Sequence, residues 1–149
     1  MNTNITYGRL EGGTFSFLDL EAIRSLLGQL STEYKPERDF SLIERLQLTI
    51  TSGAIIVARN EEGTIVGMVS LTKSVHPVRV DYSIEDVIVD EPYRRRGIGE
   101  ALMDSTHTVA MKLGVRRLDL HSSRPEAIMF YKKLGYLKSK SEILTKLLS

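Results

Sequence analysis

Cysteine is absent from this chain. Its absence excludes disulfides, thiolate metal sites and an acyl-cysteine intermediate together, and is compatible with a reducing cytoplasm. A charge excess of either sign is lacking too. Lys and Arg number 20 against 19 Asp and Glu, a formal net charge of +1, so no global attraction toward nucleic acid or an anionic membrane is implied. No apolar run approaches the ~20 residues that span a bilayer. Residues Met1 to Tyr7 have neither the charged nor the apolar region of a signal peptide. The three histidines, His76, His107 and His121, lack metal-ligand spacing, so no metal is expected. These absences leave the expectation of a soluble, cytoplasmic protein without nucleic-acid or membrane partners.

What is present is a patterned chain of 149 residues, 42% hydrophobic, enough for one globular domain over residues 1–149. Ile5 to Leu10 reads as a first strand. Asp19 is placed to cap a helix with Leu20, Ile23, Leu26, Leu27 and Leu30 inward. A second helix is expected over Arg38 to Thr51, with Leu42, Ile43, Leu46 and Ile50 inward and Gly53 as its stop. Strands follow at Ala54 to Ala58, Thr64 to Thr72 and Val80 to Asp90, the first two joined by the turn Asn60-Glu61-Glu62-Gly63. A third helix runs Ile98 to Leu113, with Ile98, Leu102, Ser105, Val109 and Leu113 on one face and Gly114 ending it. Arg116 to His121 gives a fifth strand. Ser123 and Glu126 resemble a capping box for a short helix that ends at Gly135, with Pro125 in its first turn. Tyr136 to Leu137 and Glu142 to Leu148 are two more strand candidates. Helices and strands interleave, so the class is α/β: a mixed central sheet of about seven strands with four helices. Met103, Met111 and Met129 read as core fillers, and His107 as solvated.

One segment carries more chemistry than the rest: Tyr93-Arg94-Arg95-Arg96-Gly97-Ile98-Gly99-Glu100-Ala101-Leu102. It lies between an apolar strand and a helix start, where unpaired N–H groups and the positive end of the helix dipole favour an anion. Glycines let a bulky anion approach the backbone. This is a candidate pyrophosphate cradle. It lacks the Gly-Lys-Ser/Thr of a Walker loop and the third glycine of the dinucleotide fingerprint. Lys132, Lys133, Lys138 and Lys140 add a second basic cluster, which suits a phosphate-rich cofactor or a solvated surface equally.

Arg94-x-x-Gly97-x-Gly99 resembles the Arg/Gln-x-x-Gly-x-Gly/Ala signature of the GNAT superfamily of acyl-CoA-dependent N-acyltransferases. Downstream, Arg124-Pro125-Glu126-Ala127-Ile128-Met129-Phe130-Tyr131-Lys132-Lys133-Leu134-Gly135-Tyr136 is similar to that family's closing helix. The pair covers roughly a third of the chain in the expected order. It implies a GNAT-like fold, acetyl-CoA as cosubstrate, an amine acceptor and direct attack in a ternary complex. Cofactor contacts are implied along Val87, Ile88 and Val89, along Arg94, Arg95, Arg96, Gly97, Ile98, Gly99 and Glu100, and at Arg124 and Tyr131. Arg124 departs from the family pattern, which often has asparagine there; Arg124 itself, Ser122 or Ser123 could substitute in the asparagine's contacts.

An amine must lose its proton to attack a thioester. In Ile84-Glu85-Asp86-Val87-Ile88, strict alternation would put Asp86 on the face of Ile84 and Ile88, a costly place for a charge. A bulge near Asp86-Val87 relieves this. The resemblance implies the same bulge, with the Val87 N–H polarising the thioester carbonyl. Glu85 is the first candidate for general base and Asp86 the second; the alternative is that they solvate a strand end or pair with Arg79 or Arg94. Tyr131 stands where the family's tyrosine protonates the departing thiolate, or else is a core aromatic beside Phe130. His121 falls near this site, as a minor substrate contact or as strand-end packing. An aminosugar-phosphate acceptor is a minority reading, and the function alternative is an acyl-CoA-binding regulatory module without turnover. A homodimer paired through Glu142 to Leu148 is expected, as in many relatives.

Overall fold

The computed structural model describes residues 4–35 and 40–149. Strands β1 (Thr6–Arg9), β2 (Ala54–Arg59), β3 (Ile65–Val75), β4 (Val80–Val89) and β5 (Asp119–Leu120) form one sheet in the order β1-β2-β3-β4-β5. Every neighbouring pair is antiparallel except β4 and β5, which are parallel. Helices α1 (Phe17–Leu30) and α2 (Leu42–Ser52) precede β2, whereas α3 (Ile98–Lys112) and α4 (Pro125–Lys133) follow β4 and β5. The start expected for α2, Arg38 and Asp39, lies outside the described residues.

The central strands are apolar on both faces because helices cover both. Along β2, Ile55 and Val57 enter one core with Leu20, Ile23, Leu26, Leu42 and Leu46 of α1 and α2. The alternate residues Ala54, Ile56 and Ala58 enter a second core with Leu102, Met103 and Ala110 of α3. Ser16, rather than Asp19, caps α1: its Oγ accepts the Asp19 N–H at 3.1 Å. Asp19 lies in the first turn, where its charge suits the dipole, and takes both Arg59 amines at 2.8 and 3.0 Å. That fork ties α1 to the end of β2.

Several expectations need correction. The sheet has five strands instead of seven, because Tyr136–Leu137 and 142–148 join no ladder. An extended segment becomes a strand only when a neighbour takes its N–H and C=O groups, and no described strand pairs with these. On α3 the buried face is Ile98, Leu102, Met103, Thr106 and Ala110, and Leu113 is exposed. Leu113 is the C-cap, one residue past the end of the helix at Lys112, so the buried stripe does not extend to it. Ile43 is exposed, as are Met111 and Met129; of the three methionines named as core fillers only Met103 is buried. Arg124 occupies the N-cap of α4 without a side-chain cap, so the expected box between Ser123 and Glu126 does not form.

Gly53 is required by packing. A Cβ there would sit 2.0 Å from the Leu71 carbonyl oxygen of β3, whereas one on Gly8 of the edge strand β1 meets nothing within 4 Å. Gly53→Ala is expected to destabilise by more than ~2 kcal/mol, as a backbone clash without relief does. Gly8→Ala is expected to be neutral or to stabilise by up to ~1 kcal/mol. Urea unfolding of both variants checks the contrast.

Candidate active site

The site begins with an irregularity in β4. Ser70 pairs with Glu85 and Met68 with Ile88, so β4 spends one residue more than β3 over this interval. The extra residue is Asp86, at φ 53°. Its effect on the pleat is a change of parity. Ile84 faces the α3 core, Ile88 the α1–α2 core, and Val87 and Val89 return to the α3 side. Asp86 is thereby exposed, and the burial cost set by strict alternation is avoided.

The second irregularity is where β5 stops. Its pairing with β4 ends at Ile84 and Leu120, while β4 continues to Val89. Beyond this point the strands part and the chain turns through His121 to Arg124 into α4. A cavity of about 200 Å³ fills the wedge, with Glu85, Asp86 and Val87 on one wall and His121, Arg124 and Tyr131 on the other. Leu30, the last residue of α1, also lines it. A wider groove of about 990 Å³ adjoins it, running past Ser122, Ser123 and Tyr131 to Tyr136 and Lys138.

Within this wedge, Glu85 accepts from Ser83 Oγ at 3.3 Å, and Ser83 Oγ lies 2.6 Å from Thr72 Oγ1. The two arginines considered as its partners are engaged elsewhere: Arg79 Nε donates to Asp81 at 2.8 Å, and Arg94 Nε donates to the Val89 carbonyl at 2.8 Å. Burial raises the Tyr131 hydroxyl above the ordinary phenol range; the Arg124 charge opposes this and the Glu85 charge adds to it. The phenol is therefore protonated at neutral pH.

Tyr131 is held by aromatic neighbours that the sequence reading only half anticipated. Phe130 and Tyr136 meet it edge-on, with ring centroids at 5.3 and 5.9 Å. The left-handed Gly135, at φ 95°, reverses the chain after α4 so that the Tyr136 N–H reaches the Tyr131 carbonyl at 3.1 Å. His107, expected in solvent, instead bonds the Tyr136 hydroxyl through Nε2 at 2.7 Å, and burial lowers its pKa. Burial, with Tyr131 adding, pushes the Tyr136 hydroxyl up to about 12. The signal for His107 was its place one turn from both Met103 and Ala110, beside the buried stripe.

The arginine-glycine loop opens α3. A single 3₁₀ turn, Glu91–Tyr93, leads out of β4; Arg95 and Gly97 then take left-handed φ values of 63° and 79°. Such alternation folds successive N–H groups toward one concavity. Gly97 is the N-cap and brings no side chain to the first-turn N–H groups. The three arginines differ in use. Arg94 is turned back onto the Val89 carbonyl, Arg96 stacks over the Tyr93 ring at 5.4 Å, and Arg95 is exposed. Ile98 is buried, so any contact from it to a ligand would come from its backbone, and Glu100 is exposed in the first turn. Among the described residues, no group of three or more His, Asp or Glu could hold a metal ion. Nor is any helix among them long and apolar enough to cross a membrane.

A sheet split beside a bulge, with an uncapped helix N-terminus at the end of the same strand, is the arrangement that the resemblance to acyl-CoA-dependent N-acyltransferases implied. Residues 20–136 match the model of the acetyltransferase (GNAT) family, and the chain belongs to that family. It is 32% identical over 79% of its length to glucosamine 6-phosphate N-acetyltransferase of Trypanosoma brucei brucei, covering 82% of that protein. It is 28% identical over 67% of its length to an L-ornithine N5-acetyltransferase of Arabidopsis thaliana, of which it spans 40%. Among solved structures it is similar to a Trypanosoma brucei acetyltransferase, with TM-score 0.74, 25% identity, and coverage of 97% of this chain and 100% of that one. The protein is an acetyl-CoA-dependent acetyltransferase acting on an amine.

With the cosubstrate settled, the loop can be tested by binding. Gly97→Val and Gly99→Val are expected to weaken acetyl-CoA binding by at least ~10-fold, about 1.4 kcal/mol. A Cβ on Gly99 makes only ordinary contact with Phe130, at 3.6 Å, so its packing cost is small. Arg95→Ala is expected to cost ~1 kcal/mol or less, as for an exposed charge. Isothermal titration decides; wild-type affinity in both glycine variants would remove the loop from the cofactor site.

Proposed function

We propose that the enzyme acetylates a primary amine of a small molecule or peptide by direct attack within a ternary complex. The observation that carries this reading is the wedge, whose two walls bring Glu85 and Tyr131 to one cavity. The pyrophosphate of CoA lies on the loop from Arg94 to Glu100, and its pantetheine arm runs along Val87, Ile88 and Val89 past Arg124. Glu85, directly or through a water, takes a proton from the bound ammonium; exposed Asp86 is the second candidate for this role. The free amine then attacks the thioester carbon. The Val87 N–H, beside the bulge, is the group assigned to stabilise the oxyanion. As the C–N bond forms and the C–S bond breaks, the protonated Tyr131 gives its proton to the leaving thiolate, and the second proton shed by the acylated nitrogen returns to the phenolate, directly or through a water. Glucosamine 6-phosphate is the first acceptor to try, since the Trypanosoma relative bears that activity in its name. On this reading residues 1–149 act as one cytoplasmic domain.

A panel of aminosugar phosphates, polyamines, aminoglycosides, amino acids and peptides, read by release of free thiol, tests the activity and finds the acceptor. On the best acceptor, Tyr131→Phe is expected to keep most acetyl-CoA affinity, because one oxygen is lost, while turnover falls by roughly 10²-fold. Glu85→Gln is expected to depress the rate most at low pH, where the amine holds its proton, and least at high pH. Wild-type kcat in Tyr131→Phe would reduce this tyrosine to a packing residue.

We also infer a homodimer that pairs through residues 142–148. Leu144, Leu147 and Leu148 are 90, 90 and 87% exposed, and β5 has a bare outer edge beside the wider groove. Apolar side chains and unpaired backbone together are what an added strand covers. Light scattering at working concentration is expected to give a dimer mass; a monomer mass decides against it.

A further inference from the structure

The loop at the head of α3 is fastened from the opposite face of the sheet by one side chain that no motif marks. Gln29 lies in the last turn of α1. Its Nε2 donates to Asp90 Oδ1 at 2.8 Å, and its Oε1 accepts the Glu91 N–H at 3.0 Å and Arg94 Nη2 at 3.2 Å. Those partners are 61, 62 and 65 residues away in the chain, and they surround the point where β4 leaves the sheet. Arg94 completes the knot through its bond to the Val89 carbonyl. The Asp90 backbone is already fixed by its N–H to Val66, and the Tyr93 N–H closes the following turn onto the Asp90 carbonyl, both at 2.8 Å. The left-handed residues Arg95 and Gly97 come directly after this knot, so their orientation is inherited from it.

Only a carboxamide satisfies the three contacts together. Asp90 needs a donor, while the Glu91 N–H and the Arg94 guanidinium need an acceptor. Glutamate would set a second carboxylate against Asp90, and a shorter or apolar residue would leave the charged partners unbound. Gln29 is also the neighbour of Leu30, which lines the transfer cavity. The end of α1 therefore touches the acetyl-transfer site and the cofactor loop with consecutive residues.

We propose that Gln29 is a positioning residue for the cofactor: it holds the Arg94–Gly99 loop in the shape that receives the pyrophosphate of CoA. The proposal rests on that loop being the pyrophosphate site. Its test is titration of the full chain with CoA and with pantetheine, which lacks the pyrophosphate, using wild type, Gln29→Ala, Gln29→Glu, Arg94→Ala and the Gln29→Ala/Arg94→Ala pair. Loss of hydrogen bonds to charged groups predicts CoA binding about tenfold weaker in Gln29→Ala and at least as weak in the isosteric Gln29→Glu. Pantetheine affinity should stay within twofold of wild type. The paired substitution should weaken CoA no more than about twofold beyond the worse single variant, since both residues act through one knot.

CoA affinity within twofold of wild type in Gln29→Glu, or an equal loss for pantetheine, overturns the proposal. Should Gln29→Ala fail to fold by its thermal midpoint, Gln29→Glu carries the comparison alone. Failure of the underlying site is distinguishable, because Gly97→Val and Gly99→Val would then bind CoA as wild type does.

Discussion

Everything about the site depends on a backbone that cannot keep strict alternation through Asp86. A regular β4 would seat that carboxylate among Ile84 and Ile88, at a cost of several kcal/mol. Inserting it as an extra residue at φ 53° moves the charge to solvent and turns Ile88 to the other core. The same insertion interrupts the ladder to β3 between Met68 and Ser70. The pairing of β4 with β5 ends at Ile84, two residues before this insertion, so the bulge and the cavity lie side by side.

The opening then needs rigid walls. On one side, Thr72, Ser83 and Glu85 form a run of polar contacts across β3 and β4. On the other, the turn at Gly135 and the His107–Tyr136 bond fix the aromatic cluster around Tyr131. Burial raises that phenol's pKa, so Tyr131 holds its proton at neutral pH. One wall is the bulged part of β4, and the other is the turn after β5 with α4.

How much of this could be read without coordinates follows from where the information sits. The order of elements was legible because glycines at 53, 114 and 135 punctuate helices. The bulge was legible because Asp86 conflicts with its own neighbours. The wedge was legible only through resemblance, since nothing local marks where β5 ends. Pairings between distant residues were not legible: Gln29 with Asp90, or His107 with Tyr136, leave no periodic trace. The two C-terminal strands were misread because apolar content signals a strand but does not supply its neighbour. Met111 and Met129 were assigned inward by residue type and are exposed, while Leu113, assigned inward by its spacing, falls just past the end of α3.

The order of strands has a consequence for how the enzyme assembles. The β2–β3 and β3–β4 pairs are hairpins of neighbouring segments, with little loop entropy to overcome. The β4–β5 pair is parallel, needs the whole of α3 as a crossover, and rests on two registered positions. Folding thus reaches the meander first and the β4–β5 seam last. In local unfolding the sequence runs in reverse, so the seam can part while the meander and its two cores remain intact. The chain keeps its most cooperative structure away from the cavity beside the β4–β5 seam.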